Sequence, residues 1–122
     1  MIEEPEAHLH PDAQSAVTRA LAVLAKSGAT VVATTHSVHV LDEVSHLVRL
    51  SSLSGDERRK LGYEKWEGLA PEEVAIYTMD FEGSTRAVKV MREGVSETDM
   101  DRILIEMANK YAASTDKLRA RE

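Results

Sequence analysis

The sequence predicts an α/β fold in which a parallel βαβ unit is followed by a β-hairpin and a C-terminal helix. Three observations predict it. Residues 30–34 are a β-branched run without charge, which is typical of a strand covered on both faces in a parallel sheet. A helical pattern separates this run from an apolar stump at residues 2–4. Two β-rich runs lie within residues 72–95, and a second helical pattern follows them.

The first helix is predicted from Pro11 to about Lys26. Proline suits the first helical position, because its missing N–H is not needed there. Asp12 in the first turn and Lys26 in the last turn suit the helix dipole, and Gly28 is placed just past the end. One apolar face is expected from the three- and four-residue spacing of Ala13, Ala16, Val17, Ala20, Leu21 and Leu24.

The middle of the chain alternates short apolar runs with polar ones. Ser37 is expected to cap a short helix, and residues 47–50 (Leu-Val-Arg-Leu) are predicted to form another short strand. Residues 51–71 are polar and contain three glycines. We expect them to form a loop with one helical turn at most, and to be the segment most prone to disorder or variation.

The C-terminal part is predicted to contain a strand pair and a helix. The strands are expected at residues 74–81 and 86–91, with a hairpin loop at 82–84. Ser96 and Asp99 resemble a capping box. The helix that follows would share one face among Met100, Ile103, Leu104, Met107 and Tyr111. The charged tail from Ser114 is expected to fray.

Composition is that of an ordinary globular domain, with 43% hydrophobic and 30% charged residues. The net charge of −6 gives no general attraction for phosphate backbones, so contact with DNA would need other segments. The absence of cysteine excludes disulfides and thiolate metal sites. The apolar runs are too short to cross a membrane, and acids occupy the N-terminus where a signal peptide is basic. We therefore expect a cytoplasmic location.

Two acids and a histidine are the candidate chemical groups. Glu3 and Glu4 end the first predicted strand, and His36 follows the second. In open α/β sheets, ligands bind beyond the carboxyl ends of the strands. Adjacent strand residues point to opposite sides, so the two acids are expected to have different roles. A neutral imidazole at this edge can donate one hydrogen bond to a phosphate and accept another.

Two sequence strings carry a family resemblance. Residues 2–11 read Ile-Glu-Glu-Pro-Glu-Ala-His-Leu-His-Pro, and residues 31–37 read Val-Val-Ala-Thr-Thr-His-Ser. Together they resemble the Walker B strand, D-loop and switch histidine of prokaryotic ABC-like ATPases of the RecF/SMC and OLD (overcoming lysogenisation defect) type. The resemblance is strong over residues 2–50. It implies a partial P-loop NTPase fold of the ABC type that binds and hydrolyses ATP with Mg²⁺.

The resemblance also implies a role for each residue. Glu3 would hold Mg²⁺ through water, at a position where most ABC ATPases carry aspartate. Glu4 would be the catalytic base that orients the attacking water, and His36 would sense the γ-phosphate. The D-loop, which crosses the interface of a head-to-tail dimer in the family, would consist of His8, Leu9 and His10. His10 stands where many ABC proteins have aspartate.

The phosphate-binding half of such an ATPase is missing from the sequence. No Gly-x-x-x-x-Gly-Lys-Ser/Thr occurs in it. Residues 53–57 (Leu-Ser-Gly-Asp-Glu) look like the ABC signature, but they follow the switch histidine instead of preceding Walker B, so we interpret them as a turn. We expect a C-terminal lobe, inactive alone, whose cradle comes from an N-terminal half or a partner subunit. Residues 1–50, 51–71, 72–95 and 96–122 would be segments of one incomplete domain.

The incomplete sheet has a physical consequence. We expect an exposed apolar edge at residues 30–34 and association of the isolated chain.

Two other functions stay open. One alternative is a nucleotide-free module that pairs with a partner subunit. The other is a His/Glu metallohydrolase, in which His8 and His10 share a strand face and His36 or His39 completes the site. Proline on both sides of residues 6–10 argues against a regular strand there.

Overall fold

The structure is a computed structural model that describes residues 1–79 and 83–120. The predicted mixed α/β class is confirmed: the described residues contain helices, one parallel strand pair and two antiparallel pairs. The elements in chain order are β1 (Ile2–Glu3), α1 (Pro11–Lys26), β2 (Ala33–Thr34), α2 (Val38–Leu50), α3 (Gly55–Lys60), a 3₁₀ turn (Pro71–Glu73), β3 (Ile76–Met79), β4 (Thr85–Val88), β5 (Val90–Met91), β6 (Gly94–Val95) and α4 (Glu97–Ala120).

The predicted βαβ unit is present, but its strands are short and exposed. β1 and β2 pair in parallel, with Ile2 opposite Ala33 and Glu3 opposite Thr34. The amide of Ile2 donates to the carbonyl of Val32 at 2.8 Å. All four residues of the two strands are exposed, and so is Val32. Within the described residues these two strands form a sheet by themselves, so the strand is not covered on both faces as its β-branched pattern would suggest. The exposed apolar edge expected at residues 30–34 is confirmed at Val32.

α1 has the predicted ends but buries a different face. It begins at Pro11 and ends at Lys26, and Gly28 has a φ of +104° just beyond it. The fully buried residue of α1 is Thr18, whose hydroxyl donates to the carbonyl of Gln14 at 2.9 Å. This bond satisfies the hydroxyl, so the threonine can be buried at little cost. Leu24, on the predicted apolar face, is 50% exposed.

The prediction of a strand at residues 47–50 is wrong, because these residues are the last turn of α2. Leu41, Val44 and Leu47 continue one helical spacing of three residues. Leu47, only 1% exposed, packs with the buried Leu69. Burial in a helix has overridden the β propensity of a short apolar run, which is a weak and context-dependent preference.

The polar segment 51–71 contains the expected helical turn but is packed, not peripheral. Ser54 begins α3 by accepting a hydrogen bond from the amide of Glu57 at 3.2 Å, so the signature-like string is a helix cap. Leu69 is buried, and its amide donates to the carbonyl of Leu47 at 3.0 Å. Part of this segment therefore completes the core, while the expectation that it is the one most prone to disorder or variation stays a prediction.

A cluster of charged and aromatic side chains fixes this segment to α1 and α2. Arg19 forms a two-pronged ion pair with Glu67, whose Oε2 lies 2.7 Å from Nε, and its guanidinium lies 4.5 Å from the ring centroid of Tyr63. Tyr63 donates its hydroxyl to Glu43 at 2.7 Å. Arg19 holds the pKa of the Glu67 carboxyl below its usual value, and burial raises the pKa of Tyr63.

The strand pair after the 3₁₀ turn is confirmed, and a second hairpin was not predicted. β3 and β4 are antiparallel, with Ile76 opposite Val88 and Met79 opposite Thr85. The expected strand at 86–91 is divided: its end becomes β5, which pairs with β6. Residues 80–82, which include the predicted end of the first strand and the start of the hairpin loop, lie outside the described residues.

The C-terminal helix begins as predicted. The hydroxyl of Ser96 accepts a hydrogen bond from the amide of Asp99 at 3.1 Å, and α4 continues to Ala120, beyond the point where fraying was expected. Ile103 is buried with Val88 and Val95 in a second apolar cluster. The side chains of Met107 and Tyr111 lie outside the described part. No helix among the described residues has the length and apolar character needed to span a membrane.

Candidate active site

The candidate site lies where β1 and β2 end. Because the two strands are parallel, their carboxyl ends meet at one edge of the sheet. Glu4 follows β1, and its amide donates to the carbonyl of Thr34, the last residue of β2, at 2.9 Å. His36 follows β2 by two residues. The hydrogen bonds between β1 and β2 therefore hold the residues that follow the two strands side by side.

Glu4 and His36, predicted from the sequence as the catalytic pair, are brought together. The Nε2 atom of His36 lies 3.2 Å from Oε1 of Glu4. The side chain of His36 is 87% exposed and that of Glu4 is 48% exposed, so both can reach a ligand from solvent. A carboxylate that can accept a proton stands next to an imidazole that can donate a hydrogen bond.

The chain leaves the site through a strained double turn. The amide of Ala7 donates to the carbonyl of Glu4 at 2.9 Å, and that of Leu9 donates to the carbonyl of Glu6 at 3.1 Å. Glu4 and His8 have φ angles of +43° and +64°, which are unfavourable for residues with a Cβ. Such strain costs about 1–2 kcal/mol per residue and concentrates at functional sites. Both strained residues were candidate site residues.

Glu3 sits differently from Glu4. It is the last residue of β1, paired in register with Thr34, and it is exposed. Glu4 lies beyond the strand with a left-handed backbone, so the turn, and not strand alternation alone, directs its side chain. The sequence argument that the two acids have different roles used strand geometry for both, whereas only Glu3 lies in the strand, so the difference in role stays a prediction.

The three predicted D-loop residues form the end of the turn and the start of α1. His8 is exposed, and the carbonyl of Leu9 accepts a hydrogen bond from the side-chain amide of Gln14 at 2.9 Å. His10 caps α1, because its Nδ1 accepts from the amide of Asp12 at 3.2 Å. These residues are not in a strand, so the two-histidine strand face required by the metallohydrolase alternative is not formed. Residues 1–79 and 83–120 contain no group of three or more His, Cys, Asp or Glu placed to hold a metal.

Glu6 and Thr35 are site residues that the sequence reasoning missed. Glu6 is only 5% exposed, and its Oε1 accepts a hydrogen bond from the hydroxyl of Thr35. Its Oε2 is buried and has no hydrogen-bond partner among the described residues. A glutamate in a polar turn reads as solvent-exposed, and Thr35 reads as a β-former, so no sequence signal marked either one.

Ser37 was predicted as a helix cap, and this is confirmed. Its hydroxyl oxygen accepts from the amide of Val40 at 3.3 Å, at the start of α2. The same hydroxyl donates to the side-chain oxygen of Gln14 on α1. Ser37 therefore ties the chain after His36 to both helices, which a cap alone would not require.

The donor set fits one end of a Mg²⁺–nucleotide complex. The exposed carboxylate of Glu3 suits a hard cation bound through water, that of Glu4 suits a water molecule, and the imidazole of His36 suits a phosphate oxygen. The chain has no glycine-rich loop with lysine to surround the remaining phosphates. The residues present therefore fit the end of the nucleotide where hydrolysis occurs. They do not include the loop that binds the remaining phosphates.

Comparison with known families finds a match in the N-terminal part of the chain. The family model of the AAA ATPase domain matches residues 1–41. That segment contains β1, the double turn, α1, β2 and His36, and it covers about a third of the chain. The match supports an ATPase of the AAA/ABC-like class, and such domains in general use a nucleotide and Mg²⁺. No curated protein and no solved structure matches the chain significantly.

Proposed function

We propose that this chain supplies the hydrolytic edge of an ABC-like ATPase site of the RecF/SMC and OLD type. The observation that carries the proposal is the Glu4–His36 pair, 3.2 Å apart beyond the ends of two parallel strands, within the segment that matches the AAA ATPase domain. In this proposal β1 is the Walker B strand, the double turn is the D-loop, and His36 is the switch histidine.

Glu4 is the general base of the proposed reaction. Its half-exposed carboxylate lies beyond the strand end, where it can accept a hydrogen bond from a water and orient it for in-line attack. The left-handed backbone of Glu4 fixes this direction, because the amide is bonded to Thr34 and the carbonyl to Ala7. The imidazole of His36, 3.2 Å away, holds one oxygen of this carboxylate, and the carboxylate takes up the proton of the water in the proposed reaction.

His36 and Glu3 complete the proposed set. The exposed imidazole of His36 donates a hydrogen bond to an oxygen of the γ-phosphate, so its contacts depend on whether that phosphate is present. Glu3 accepts hydrogen bonds from waters of the metal shell at the end of β1. Mg²⁺, when bound, neutralises charge on the phosphate oxygens.

In this proposal, the part of the site that binds the other phosphates is supplied by a different polypeptide segment. The glycine-rich cradle and its lysine belong to an N-terminal ATPase half or to a partner subunit, and the complete site forms in a head-to-tail dimer. His8, Leu9 and His10 then lie at the dimer interface, where the exposed turn is accessible to a partner. Contact with DNA, if the assembly makes it, uses segments other than this acidic chain.

The test is ATP turnover by the assembly that contains this chain and its P-loop polypeptide. The genomic reading frame upstream of residue 1 should encode, in frame, a P-loop and a Ser-x-Gly-type signature. In the assembled protein, Glu4→Gln should lower kcat by about 10²–10⁴-fold while nucleotide affinity is kept, because a base is removed and no binding group is lost. Glu72→Gln, an exposed acid in the 3₁₀ turn, is the matched control and should leave kcat unchanged.

Two results would contradict the proposal. One is an unrelated gene upstream with no P-loop partner that copurifies. The other is ATP turnover that is equal in the Glu4→Gln and Glu72→Gln proteins. The isolated 122-residue chain is expected to show no ATP turnover. Turnover by that chain, lost on Glu4→Gln, would contradict the proposal that a P-loop from another segment is required.

A nucleotide-free interaction module is the second candidate, and exposed apolar surface favours it. Ile2, Val32 and Leu24 are exposed in the βαβ unit. Apolar side chains in an uncovered two-stranded sheet are typical of a surface that pairs with another chain. This function predicts that the chain forms a stable complex with a partner. The affinity between chain and partner should be the same with and without ATP, and Glu4→Gln should not change it.

A further inference from the structure

The backbone on both sides of His36 is held by side-chain hydrogen bonds. Before it, the hydroxyl of Thr35 donates to Oε1 of the buried Glu6. The same oxygen of Thr35 accepts from the amide of Ser37 at 2.9 Å, which bridges across His36. The residues before and after the imidazole are therefore locked to one another and to the turn.

The bonds continue from Ser37 back to the turn. The hydroxyl of Ser37 donates to the side-chain oxygen of Gln14, and the side-chain nitrogen of Gln14 donates to the carbonyl of Leu9 at 2.9 Å. The amide of Leu9 in turn donates to the carbonyl of Glu6 at 3.1 Å. The hydrogen bonds therefore run from Glu6 through Thr35, Ser37 and Gln14 and return to the turn that contains Glu6. We call these four residues the anchoring ring.

The first residue of the anchoring ring is buried, whereas the imidazole beside the ring is exposed. Glu6 is 5% exposed, whereas His36 is 87% exposed. A buried carboxylate with one unpaired oxygen disfavours folding, so packing alone does not account for a glutamate here. Among the described residues, the carboxylate of Glu6 has one hydrogen bond, which it accepts from Thr35 next to His36, and this contact gives the buried acid a role.

We propose that Glu6 is a positioning residue that, through Thr35 and the anchoring ring, sets the imidazole of His36 against Glu4. The ring fixes the backbone at residues 35–37, and only the His36 side chain is left to move. The consequence for turnover rests on the proposed ATPase function. The positioning itself depends only on the contacts above, so the two can fail separately.

The first experiment is NMR on the isotope-labelled full chain. The readouts are the NOE between the His36 ring and the Glu4 side chain, and hydrogen exchange of the Ser37 amide. Thr35→Val and Glu6→Leu each remove a ring bond with little change in volume. Both should abolish the NOE, and Thr35→Val, which removes the acceptor of that amide, should speed its exchange about five- to tenfold. Thr35→Ser, which keeps the hydroxyl, should restore both readouts.

Two controls separate positioning from general loosening. Thr30→Val removes an exposed hydroxyl from the same segment and should change neither readout. The double variant Glu6→Leu with Thr35→Val should be no worse than Thr35→Val alone, because the two side chains act through one contact. Spectra of residues 45–79 report whether each variant is folded. A folded Thr35→Val or Glu6→Leu protein that keeps the His36–Glu4 NOE overturns the proposal, and so does a Thr35→Ser protein that behaves like Thr35→Val.

The second experiment measures turnover in the P-loop-containing assembly. Thr35→Val should lower kcat/KM about tenfold, because it displaces the imidazole of His36, which contacts the γ-phosphate in the proposed site. If the wild-type assembly hydrolyses no ATP, the proposed function fails, and the NMR readouts still decide the positioning. If turnover is present and equal in Thr35→Val and Thr30→Val, positioning by the ring is overturned for catalysis.

Discussion

The N-terminal segment that matches a known family and the segment that follows it are built in opposite ways. Among the described residues, each buried hydrophobic side chain lies at or after Leu47. Within residues 1–41 the buried side chains are those of Glu6 and Thr18, and both are polar. The first segment therefore presents polar chemistry on an exposed edge, and the second supplies the apolar core.

This difference indicates where substitutions should act. Loss of apolar volume after residue 45 should lower the free energy of unfolding, because those side chains are removed from water. Comparable changes in residues 1–41 should have small effects on stability and larger effects on the site or on assembly. The four predictions below challenge this division, from the largest expected effect to the smallest.

Leu47→Ala should lower the free energy of unfolding by about 2–5 kcal/mol, because it leaves a cavity in the buried cluster of Leu47, Val48, Leu50 and Leu69. Leu24→Ala is the matched control in the first segment. It deletes the same atoms from a side chain that is half exposed, and it should cost under about 1 kcal/mol. Urea unfolding followed by Trp66 fluorescence measures both. Equal losses would break the division between the two segments.

Gly94→Ala should destabilise the chain by about 2–4 kcal/mol. Gly94 has a φ of +90°, and a Cβ there would lie 2.2 Å from Oγ and 2.7 Å from the carbonyl oxygen of Ser45. Gly62 has a φ of +88° with open space around it, so Gly62→Ala tests the backbone conformation without the clash. Thermal unfolding should give a clearly lower Tm for Gly94→Ala. Similar Tm values for the two variants would show that Gly94 of β6 is not in close contact with Ser45 of α2.

Arg19→Met should cost about 1–2 kcal/mol at pH 7, because it leaves the buried carboxyl of Glu67 without its charged partner. The pKa of Glu67 is depressed in the folded chain by Arg19, so this stabilisation is present above its ordinary value of 4.5. It is lost as the pH falls through the lower folded value.

Urea midpoints of the wild-type and Arg19→Met proteins should therefore converge at acidic pH. Arg59→Met, which changes an exposed arginine of α3, should show no such dependence. A gap between wild type and Arg19→Met that stays constant down to pH 3 would mean that the ion pair does not carry the coupling between α1 and the 51–71 segment.

Lys26→Gln should have the smallest effect, below about 1 kcal/mol, because its ion pair with Glu73 is exposed on both sides. The contact lowers the pKa of Glu73, so the effect should fade at acidic pH and in concentrated salt. Unfolding at low and high NaCl measures it. An effect as large as that of Arg19→Met would show that the end of α1 is held more firmly than its exposure indicates.

The site was predictable from the sequence to the extent that it depends on chain order. A strand that ends at two adjacent acids, and a second strand end followed by a histidine, must meet when the strands are parallel neighbours. The structure brings Glu4 and His36 together for this reason. The buried contact of Glu6 with Thr35 was not predictable, since it depends on a turn with two left-handed residues that no local pattern specified.

The sequence by itself determined the local elements: the cap and glycine signals placed the ends of α1, and Ser37 and Ser96 placed the starts of α2 and α4. Only the tertiary structure decided that residues 47–50 are helical and that the polar segment at 51–71 contributes to the core. The physical reason is range. Caps and turns are set by hydrogen bonds within a few residues, whereas burial is set by partners distant in the chain, and a short apolar run takes the conformation that buries it best.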